Sequence, residues 1–328
     1  MKRKIALLTG GLSGESVVSY KSAITINNNL DKDVYDVFQI DINPQGWFYT
    51  DETGNKQAVD KNDFSIQLTG EKILFDAVLF ALHGTPAEDG KLQGYFDMLH
   101  IPYAGCDAAT SAITFNKSYC TGVAKKSGIK VAESVLLFKH TPVPVEDVLK
   151  QVNLPVFVKP NNGGSSIGMS KVAKAEELAE AIEKAFKEDA QVIVEEMIVG
   201  REFTIGVYKA QGEIITLPLT EVKAHTSKVF FDFEAKYEGK SEEITPAVVD
   251  EVIANKVRAA ASRIYAVFNC KGVIRIDFIY NETAAAPYML EVNTIPGQSA
   301  ASIIPQQIKA AEGNLKDFYS YLIEECFA

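Results

Sequence analysis

The sequence is poor in cysteine and lacks long hydrophobic runs. Four cysteines are scattered along 328 residues without CxxC spacing: Cys106, Cys120, Cys270 and Cys326. This pattern argues against a disulfide framework or a zinc knuckle and favours reduced thiols in a cytosol. The apolar run after residues 1–4 is too short for a signal peptide or a membrane span. We therefore expect a cytoplasmic protein.

The sequence also lacks an excess of positive charge. Its 33 lysines and arginines are outnumbered by 43 aspartates and glutamates, which gives a net charge of −10. An acidic surface repels nucleic acid and anionic membranes, so we expect neither as a partner. The apolar content of 47% and the charged content of 23% are those of a globular protein. The length corresponds to about two domains.

The first hundred residues predict a parallel sheet covered by helices. Residues 4–8 indicate a buried strand, a helix follows, and residues 34–42 indicate a second strand. A third apolar strand is expected at residues 77–82. The loops after parallel strands meet at one edge of a sheet, where ligands bind. The first helix carries apolar residues at i, i+3 and i+7: Val17, Tyr20 and Ile24.

Two loops at that edge carry candidate site residues. Glu15, in the first loop, would repel a phosphate and would suit an ammonium group. His83 follows the third strand. It is either a hydrogen-bonded structural histidine or part of the site, and its position alone leaves both open.

Residues 106–196 predict a second, α+β module. One helix is expected from Asp107, its N-cap, to Lys126, with Gly128 ending it. The order that follows is strand, helix, strand, glycine loop, strand, helix and strand. The glycine loop therefore lies between two neighbouring strands.

The glycine-rich stretch 154–171 is the strongest local signal. An apolar strand ends at Lys159, and a loop of glycines and serines follows. Backbone N–H groups in such a loop can surround phosphate oxygens. The glycines of residues 163–168 have P-loop spacing, but Met169 and Ser170 stand where that motif needs Lys-[Ser/Thr]. The loop binds polyphosphate in another way or is a flexible surface hairpin.

Residues 197–328 predict a third module. Residues 203–208 and 213–217 indicate a hairpin, and residues 220–245 lack clear periodicity. Because the latter segment carries lysines and aromatic residues, we expect a lid loop that packs down. A helix is expected to begin at 245–246 with proline at N1. Its predicted buried stripe is Val249, Val252, Ile253, Val257, Ala260 and Ile264.

A second hairpin near the C-terminus places polar side chains on one face. Because side chains alternate along a strand, Arg275 and Asp277 share a face, as do Glu291 and Asn293 on the partner strand. Two carboxylates and an amide oxygen without His or Cys suit Mg²⁺. The alternative is a solvated polar face with one salt bridge. The strands are expected at residues 272–280 and 288–293.

The segment after this hairpin leads into a helix near Ser302. The free N–H groups at the start of that helix could take a substrate carboxylate. The glycine loop, the acidic hairpin, the lid and this helix start together indicate nucleotide-triphosphate chemistry on a small carboxylate.

Six stretches resemble the D-alanine–D-alanine ligases of the ATP-grasp superfamily, in family order and over essentially the full length. They are residues 10–15, 83–90, 158–171, 233–237, 275–277 and 291–297. The resemblance implies an N-terminal Rossmann-like domain and two α+β subdomains that hold ATP between antiparallel sheets. The implied boundaries are 1–105, 106–196 and 197–328, with the lid at 220–245. It also implies a homodimer and a role in peptidoglycan precursor synthesis.

The resemblance implies a reaction in two steps. The carboxylate of a first D-alanine attacks the γ-phosphate of ATP, which gives an acyl phosphate and ADP. The amine of a second D-alanine then attacks the acyl carbonyl through a tetrahedral intermediate and releases phosphate.

Site residues are implied position by position. The resemblance places ATP against Lys117, Lys159, Ser165, Ser166, Glu195, Glu196, Met197, Ile198, Glu202 and Lys236. It places two Mg²⁺ or Mn²⁺ ions on Asp277, Glu291 and Asn293. The D-alanines would be bound by Glu15, His83, Asp277 and Ser302. The implied catalytic set is Glu15, Ser165, Tyr237, Arg275 and the backbone N–H near Gly297.

Two other functions compete with this interpretation. One is a different ATP-grasp carboxylate–amine ligase, against which Glu15 and Tyr237 count. Ligases that form D-alanyl-D-lactate carry phenylalanine at the latter position, so the tyrosine favours an amine as second substrate. The other is an inactive nucleotide-binding module, which we expect to have lost Arg275 or a metal ligand. The sequence departs from the usual family residues at Ser16, 86–87, Phe231 and Phe233.

Overall fold

The computed structural model of the chain describes residues 2–164, 167–224 and 241–328. No helix within these ranges has both the length and the apolar composition needed to cross a bilayer. The strands are β1 Arg3–Gly10, β2 Tyr35–Asn43, β3 Gly46–Thr50, β4 Lys56–Ala58, β5 Ile66–Leu68, β6 Glu71–Ile73, β7 Ala77–Phe80, β8 Tyr103–Ala104, β9 Ser134–Phe138, β10 Val156–Pro160, β11 Ser170–Val172, β12 Gln191–Glu196, β13 Arg201–Ala210, β14 Glu213–Thr216, β15 Thr220–Ala224, β16 Ser241–Ile244, β17 Ile274–Asn281 and β18 Ala286–Asn293. The helices are α1 Ser16–Asn29, α2 Lys91–Leu99, α3 Ala108–Phe115, α4 Lys117–Lys126, α5 Val145–Val148, α6 Leu178–Ala185, α7 Glu251–Val267, α8 Ile303–Ala310 and α9 Leu315–Glu324.

The N-terminal sheet has the strand order β4-β3-β2-β1-β7-β8. The strands β2, β1, β7 and β8 are parallel, as the βαβ order predicts, and β3 and β4 extend the sheet with antiparallel pairing. The loops after β1 and β7 meet at one edge, where the backbone N–H of Leu12 donates to the carbonyl of Thr85 at 3.3 Å. The two predicted site loops are therefore neighbours.

Helix α1 turns a different face to the sheet from the one its apolar spacing indicates. Val17, Tyr20 and Ile24 are exposed by 60%, 39% and 59%. The buried face is made of Ser19, Ser22, Ala23 and Ile26. Small side chains let the helix lie close to the sheet, and the serine hydroxyls bind the loop after β7. The predicted stripe is therefore wrong as a core face.

The central sheet is antiparallel, in the order β11-β10-β12-β9, and carries the glycine loop between β10 and β11. Helices α5 and α6 cover one face of it through an apolar cluster that includes Val148, Val156, Leu178 and Val194. The strand and helix order predicted for residues 129–196 is confirmed.

The single helix predicted from 107 to 126 is two helices. Asn116 adopts φ −88° and ψ 107°, which ends α3, and its side chain caps α4 by accepting from the backbone N–H of Tyr119 at 3.0 Å. The predicted N-cap at Asp107 is confirmed, since its carboxylate accepts from the backbone N–H of Thr110 at 2.8 Å.

The C-terminal sheet is antiparallel, in the order β16-β15-β13-β17-β18, with β14 paired to β13. The predicted hairpin of β13 and β14 is confirmed. The segment expected to be irregular from 220 to 245 begins and ends in paired strands, β15 and β16. The lid prediction, including Phe231, Phe233, Lys236 and Tyr237, falls outside the described residues.

Helix α7 begins at Glu251 and not at Pro246. The backbone N–H of Ala247 donates to the carbonyl of Leu219 at 2.7 Å, so the chain stays extended beside the sheet past the proline. The carboxylate of Asp250 supplies the N-cap instead. Of the predicted stripe, Val257 and Ile264 are buried, Val249, Ile253 and Ala260 are partly buried, and Val252 is exposed.

Strands β17 and β18 form the second predicted hairpin. A bulge at Leu290 shifts the register, so that Asp277 lies opposite Glu291 while Phe278 lies opposite Met289. Met289 therefore fills the core position that simple alternation assigns to Leu290. The predicted core face of β17 is confirmed: Ile274, Ile276 and Phe278 are fully buried.

Helices α8 and α9 pack against the N-terminal sheet. One apolar cluster combines residues of β1 and β7 with residues of both helices: Ile5, Leu7, Ala77, Leu79, Ile304, Ile308, Phe318, Leu322 and Ile323. At the edge of this cluster, Arg3 forms an ion pair with Glu324 at 2.6 Å. The two ends of the chain thus share one core.

Candidate active site

The glycine loop is held at its base by two asparagines. The side chain of Asn161 accepts from the backbone N–H of Ser118 at 2.9 Å and donates to Gln191 Oε1 at 2.8 Å. Asn162 donates from its backbone N–H and its Nδ2 to Asp189 Oδ2, both at 2.8 Å. The start of the loop is therefore fixed to helix α4 and to the segment before β12.

Glycine is required where the loop closes. Gly168 has φ +74°, and a methyl group placed on it would lie 2.8 Å from Glu188 Cγ. Gly163 also has a positive φ, of +99°, but has open space around it. The backbone of the loop is therefore uncovered at Gly163, which leaves the close approach that phosphate binding requires. Ser165 and Ser166 lie outside the described residues.

Two lysines stand beside the loop. Lys117 is the first residue of α4, and its Nζ donates to the carbonyl of Gly163 at 2.5 Å. Lys159 on β10 forms an ion pair with Glu195 on β12 at 2.6 Å, with side chains 14% and 5% exposed. The carboxylate of Glu195 is thus engaged, so a contact of this residue with adenine would use its backbone.

The predicted adenine-binding residues lie at the end of β12. Glu196 Oε1 accepts two hydrogen bonds from Asn153, each of 2.8 Å, and its side chain is directed there. The backbone N–H of Met197 donates to Pro155 at 3.0 Å. Ile198 follows, and Glu202 lies on β13, the next strand in sequence, which belongs to the C-terminal sheet. Within this group, Glu196 would contact the adenine only through its backbone.

The polar face of the β17–β18 hairpin is arranged around Asp277. Its Oδ1 accepts from Thr204 Oγ1 at 2.5 Å and from Arg275 Nε at 2.9 Å. Its Oδ2 accepts from Arg275 Nη2 at 2.8 Å and from Asn293 Nδ2 at 3.4 Å. Glu291 stands directly opposite on β18. The four polar side chains expected to share a face therefore lie together.

Thr204 is a site residue that the sequence analysis missed. It lies on β13, opposite Asp277 in the antiparallel register. Alternation along β13 puts it on the same face as Glu202, the predicted ribose contact. That alternation was the available signal.

Helix α4 joins the glycine loop to the acidic hairpin. Lys117, at its first position, contacts the loop. Cys120 lies three residues further on and packs in the core beneath β18. Burial and the nearby carboxylate of Glu291 raise the pKa of the Cys120 thiol to about 12. Helix α4 therefore contacts the glycine loop through Lys117 and packs beneath β18, the strand that carries Glu291, through Cys120.

The N-terminal loops reach the same place. Glu15 immediately precedes α1, and a methyl group placed on Gly164 of the glycine loop would lie 3.1 Å from its Oε1. A methyl group on Gly84 would lie 2.6 Å from its Oε2. The carboxylate of Glu15 therefore sits between the loop after β7 and the glycine loop.

Arg275 lies in an acidic environment formed by two parts of the chain. Burial opposes its charged form, but Asp277 and then Glu291 and Glu88 outweigh burial and raise the pKa of its guanidinium. Glu88 comes from the loop after β7 and lies 3.8 Å from His83 Nδ1. The hairpin and the N-terminal loops therefore face each other across Arg275.

The segment 294–302 completes the site. The predicted helix start near Ser302 is confirmed: Ser302 occupies the N-cap position of α8 without a side-chain capping bond, and its Oγ lies 2.8 Å from Ser299 Oγ. A methyl group placed on Gly297 would lie 2.8 Å from Ser302 Oγ. The two predicted site residues are therefore adjacent.

His83 is buried and bonded on both sides of its ring. Its Nδ1 lies 2.9 Å from the carbonyl of Ile295, and its Nε2 lies 2.9 Å from Ser22 Oγ. Its backbone N–H donates to Ser19 Oγ at 2.9 Å. These partners on α1 and on segment 294–302 were not indicated by the sequence.

A preformed cluster of three or more His, Cys, Asp or Glu side chains arranged for a metal is absent from the described ranges. The hairpin instead offers two carboxylates and an amide on one face. Such a set of hard oxygen ligands fits Mg²⁺, which completes its shell with water and phosphate.

A parallel N-terminal sheet and two antiparallel sheets that bring a glycine loop to an acidic hairpin define an ATP-grasp protein. Models of the D-ala D-ala ligase N-terminus and C-terminus match residues 4–106 and 123–324. The chain therefore belongs to the D-alanine–D-alanine ligase family.

Full-length relatives agree with this assignment. The chain is 43% identical over 327 residues to the D-alanine–D-alanine ligase of Bacteroides fragilis, with 100% of both chains covered. It is 45% identical over 322 residues to that of Flavobacterium johnsoniae, with 98% of both covered.

Solved structures share the whole fold. The VanG D-Ala:D-Ser ligase of Enterococcus faecalis has a TM-score of 0.88 at 32% identity, covering 99% of this chain and 100% of that one. The D-alanine–D-alanine ligase of Bacillus anthracis complexed with ATP has a TM-score of 0.79 at 26% identity, covering 99% and 97%.

Proposed function

We propose that this chain joins two molecules of D-alanine into D-alanyl-D-alanine for peptidoglycan precursors, while ATP is converted to ADP and phosphate. One observation carries the proposal. Helix α4 contacts the glycine loop through Lys117 and packs beneath β18 of the acidic hairpin through Cys120, and the carboxylate of Glu15 lies against the same loop. A triphosphate and an amino acid can therefore meet in one place.

The first step needs the phosphates to be held and the amino acid to be aligned. Lys117 and Lys159 supply positive charge beside the loop. In the proposal, Ser165, Ser166 and Lys236 add contacts to the phosphates. Glu15 binds the ammonium of the first D-alanine, whose carboxylate attacks the γ-phosphorus. Positioning and charge neutralisation do most of this work, because phosphoryl transfer needs little covalent help.

The rest of the nucleotide lies across the end of β12. In the proposal, Glu195, Glu196, Met197 and Ile198 line the adenine and Glu202 binds the ribose. The side-chain bonds of Glu195 and Glu196 support backbone contacts with the base.

Two Mg²⁺ or Mn²⁺ ions are proposed on the hairpin. Asp277, Glu291 and Asn293 would hold them, which the all-oxygen donor set supports. Bound there, the metal would neutralise charge on the transferring phosphate.

The second step develops negative charge on the acyl oxygen. We propose that Arg275 and a backbone N–H near Gly297 stabilise that oxyanion, since preorganised donors act most strongly in a dry site. Ser302 takes the carboxylate of the second D-alanine, and Tyr237 links Ser165 to Glu15. His83 acts near the first carboxylate, and its two ring bonds support an indirect contribution.

The proposal extends to the organisation of the chain. The three sheets support a division at 1–105, 106–196 and 197–328. Four free cysteines support a cytoplasmic location. A homodimer is proposed from the family resemblance, and light scattering of the purified protein tests it.

The test is phosphate release by the purified protein with ATP and Mg²⁺. D-Alanine should give dipeptide and phosphate in equal amounts, while L-alanine should give almost none. D-Serine and D-lactate, offered as second substrates, define the acceptor. Equal rates with D- and L-alanine, or release independent of D-alanine, would contradict the proposal.

Arg275→Met and Arg258→Met form a matched pair for the same assay. The first removes the proposed oxyanion partner and should lower kcat by roughly 100-fold or more. The second removes a surface arginine that pairs with Glu251 on α7, and kcat should stay within about twofold.

A further inference from the structure

Segment 294–302 is held by a closed ring of hydrogen bonds to the N-terminal part of the chain. The backbone N–H of Gln298 donates to Ser22 Oγ at 3.1 Å, and Ser22 Oγ lies 2.9 Å from His83 Nε2. His83 Nδ1 returns to the carbonyl of Ile295 at 2.9 Å. Gly297 lies inside this ring, one residue before Gln298.

The direction of each bond follows from its partners. A carbonyl oxygen only accepts, so His83 Nδ1 carries the proton that bonds Ile295. In the neutral ring Nε2 is then an acceptor, and the hydroxyl of Ser22 donates to it. A lone pair of the same hydroxyl accepts from Gln298. Ser22 is therefore both donor and acceptor, and it connects the backbone N–H of Gln298 to the ring of His83.

The ring is buried, and a further hydrogen bond to Gln298 extends it. Ser22, His83 and Gln298 are all at most 5% exposed. The hydroxyl of Tyr319 on α9 donates to Gln298 Oε1 at 3.2 Å. Buried hydrogen bonds of this kind fix one geometry, because an unpaired group would pay the full cost of desolvation.

We infer that Ser22 is a positioning residue for the second step of the reaction, because it holds the backbone around Gly297 where the oxyanion forms. This inference rests on the proposed function. It gives α1 a role in the chemistry, which the apolar spacing of this helix does not indicate. In this inference Ser22 acts through its bonds to Gln298 and His83.

The role predicts a selective defect. Ser22→Ala leaves the N–H of Gln298 and Nε2 of His83 without this partner, so the segment around Gly297 can shift. Loss of a single oxyanion donor costs about 10²–10³ in rate, and a displaced donor should cost at least about 10-fold. Phosphoryl transfer from ATP does not use that donor, and His83 keeps its Nδ1 bond to Ile295 in this variant, so ADP formation should be slowed far less than dipeptide formation.

Single-turnover rapid quench of the full-length enzyme with ATP, Mg²⁺ and D-alanine separates the steps. We expect Ser22→Ala to form ADP within about twofold of the wild-type rate and dipeptide at least about 10-fold more slowly, with KM for ATP unchanged. Ser111→Ala is the matched control. Ser111 is also fully buried on a helix, and its hydroxyl also links two partners, Gln93 and Cys106.

A second pair of variants makes a smaller change and tests the same inference if the serine variants misfold. Tyr319→Phe removes only the hydroxyl that bonds Gln298, and it should slow dipeptide formation about threefold without slowing ADP formation. Tyr265→Phe removes an equally buried hydroxyl that bonds Gly272 instead. It should leave both rates unchanged.

The outcomes are distinct. Equal slowing of ADP and dipeptide formation in Ser22→Ala, a wild-type rate of both, or an equal defect in the control variants would overturn the inference. Failure of the wild-type protein to release phosphate in response to D-alanine would instead refute the proposed function.

Discussion

The buried ion pair of Lys159 and Glu195 stabilises the central sheet, and its lysine is also proposed to bind ATP. Each side chain lies on a different strand of the central sheet, and both are largely shielded from water. A buried charge is tolerated only when paired, so each residue offsets the cost of burying the other. The same lysine faces the glycine loop from the end of β10. Stability and ATP binding can be separated there by mutation.

Lys159→Met should lower the free energy of unfolding by about 3–5 kcal/mol, because it leaves the carboxylate of Glu195 buried and unpaired. Adding Glu195→Gln should restore much of that loss, while the affinity for ATP stays low. Urea denaturation and ATP titration measure the two quantities.

Lys150→Met is the control for this comparison. Lys150 forms an exposed ion pair with Asp147, so its loss should change stability by less than about 1 kcal/mol. If the double variant is no more stable than Lys159→Met, the unpaired carboxylate is not the cause of the loss.

Individual site residues were predictable only where their type is chemically distinctive. Charged residues in strands and glycines in loops stand out, and the structure brings Glu15 and Lys117 to the glycine loop and Asp277 to the polar face of the β17–β18 hairpin. Thr204 and Ser22 do not stand out, because hydroxyl residues are common and their partners lie far away along the chain. Only the folded structure brings such partners together.

Regular elements were predicted better than their faces and ends. Apolar runs and turn residues located β1, β2 and β7 of the N-terminal sheet, the four strands of the central sheet, and the hairpins β13–β14 and β17–β18, but not β3 to β6, β8, β15 or β16. The errors arose where a local contact overrides periodicity: serine hydroxyls that bury the polar face of α1, the cap at Asn116, and the bulge at Leu290. Apolar spacing does not register contacts of that kind.

The pairing of β13 with β15 should depend on pH. Arg201 on β13 forms hydrogen bonds of 2.8 and 3.0 Å with Glu221 on β15. These bonds lower the pKa of the Glu221 carboxyl, although burial opposes the shift. A carboxyl with a lower pKa in the folded state stabilises the fold fully above its unfolded pKa of about 4.3, and the contribution is lost as pH falls through the folded value.

Glu221→Gln should therefore be less stable than the wild type by about 1–2 kcal/mol at pH 7. The difference should shrink as the pH falls below about 4. Thermal unfolding monitored by circular dichroism between pH 3 and pH 7 measures it. Glu213→Gln, at an exposed position on β14, is the control and should show no such trend. A difference that is constant with pH would exclude the ion pair as its source.

At the scale of the whole molecule, the C-terminal helices belong to the N-terminal core. Helix α9 packs on β1 and β7, although about 235 residues or more separate them in sequence. The periodicity of α9 does not identify the sheet that the helix covers, because its apolar face could pack against any apolar surface. The proposed oxyanion segment, which precedes α8, is held by the same packing. Unfolding of either part should therefore carry the other with it.

Leu322→Ala tests this coupling. Leu322 is buried against the N-terminal sheet, so its truncation should cost about 2–5 kcal/mol. Trp47, the single tryptophan of the chain, packs against Phe64 and Tyr95 on the opposite face of that sheet, and its fluorescence reports on the N-terminal part. Because the sheet links both faces, the midpoint in urea should fall equally by tryptophan fluorescence and by circular dichroism.

Val252→Ala, at an exposed position on α7, is the control, and it should change the free energy of unfolding by no more than about 0.5 kcal/mol with either probe. A fluorescence midpoint that stays at the wild-type value in Leu322→Ala would mean that the two ends of the chain unfold independently.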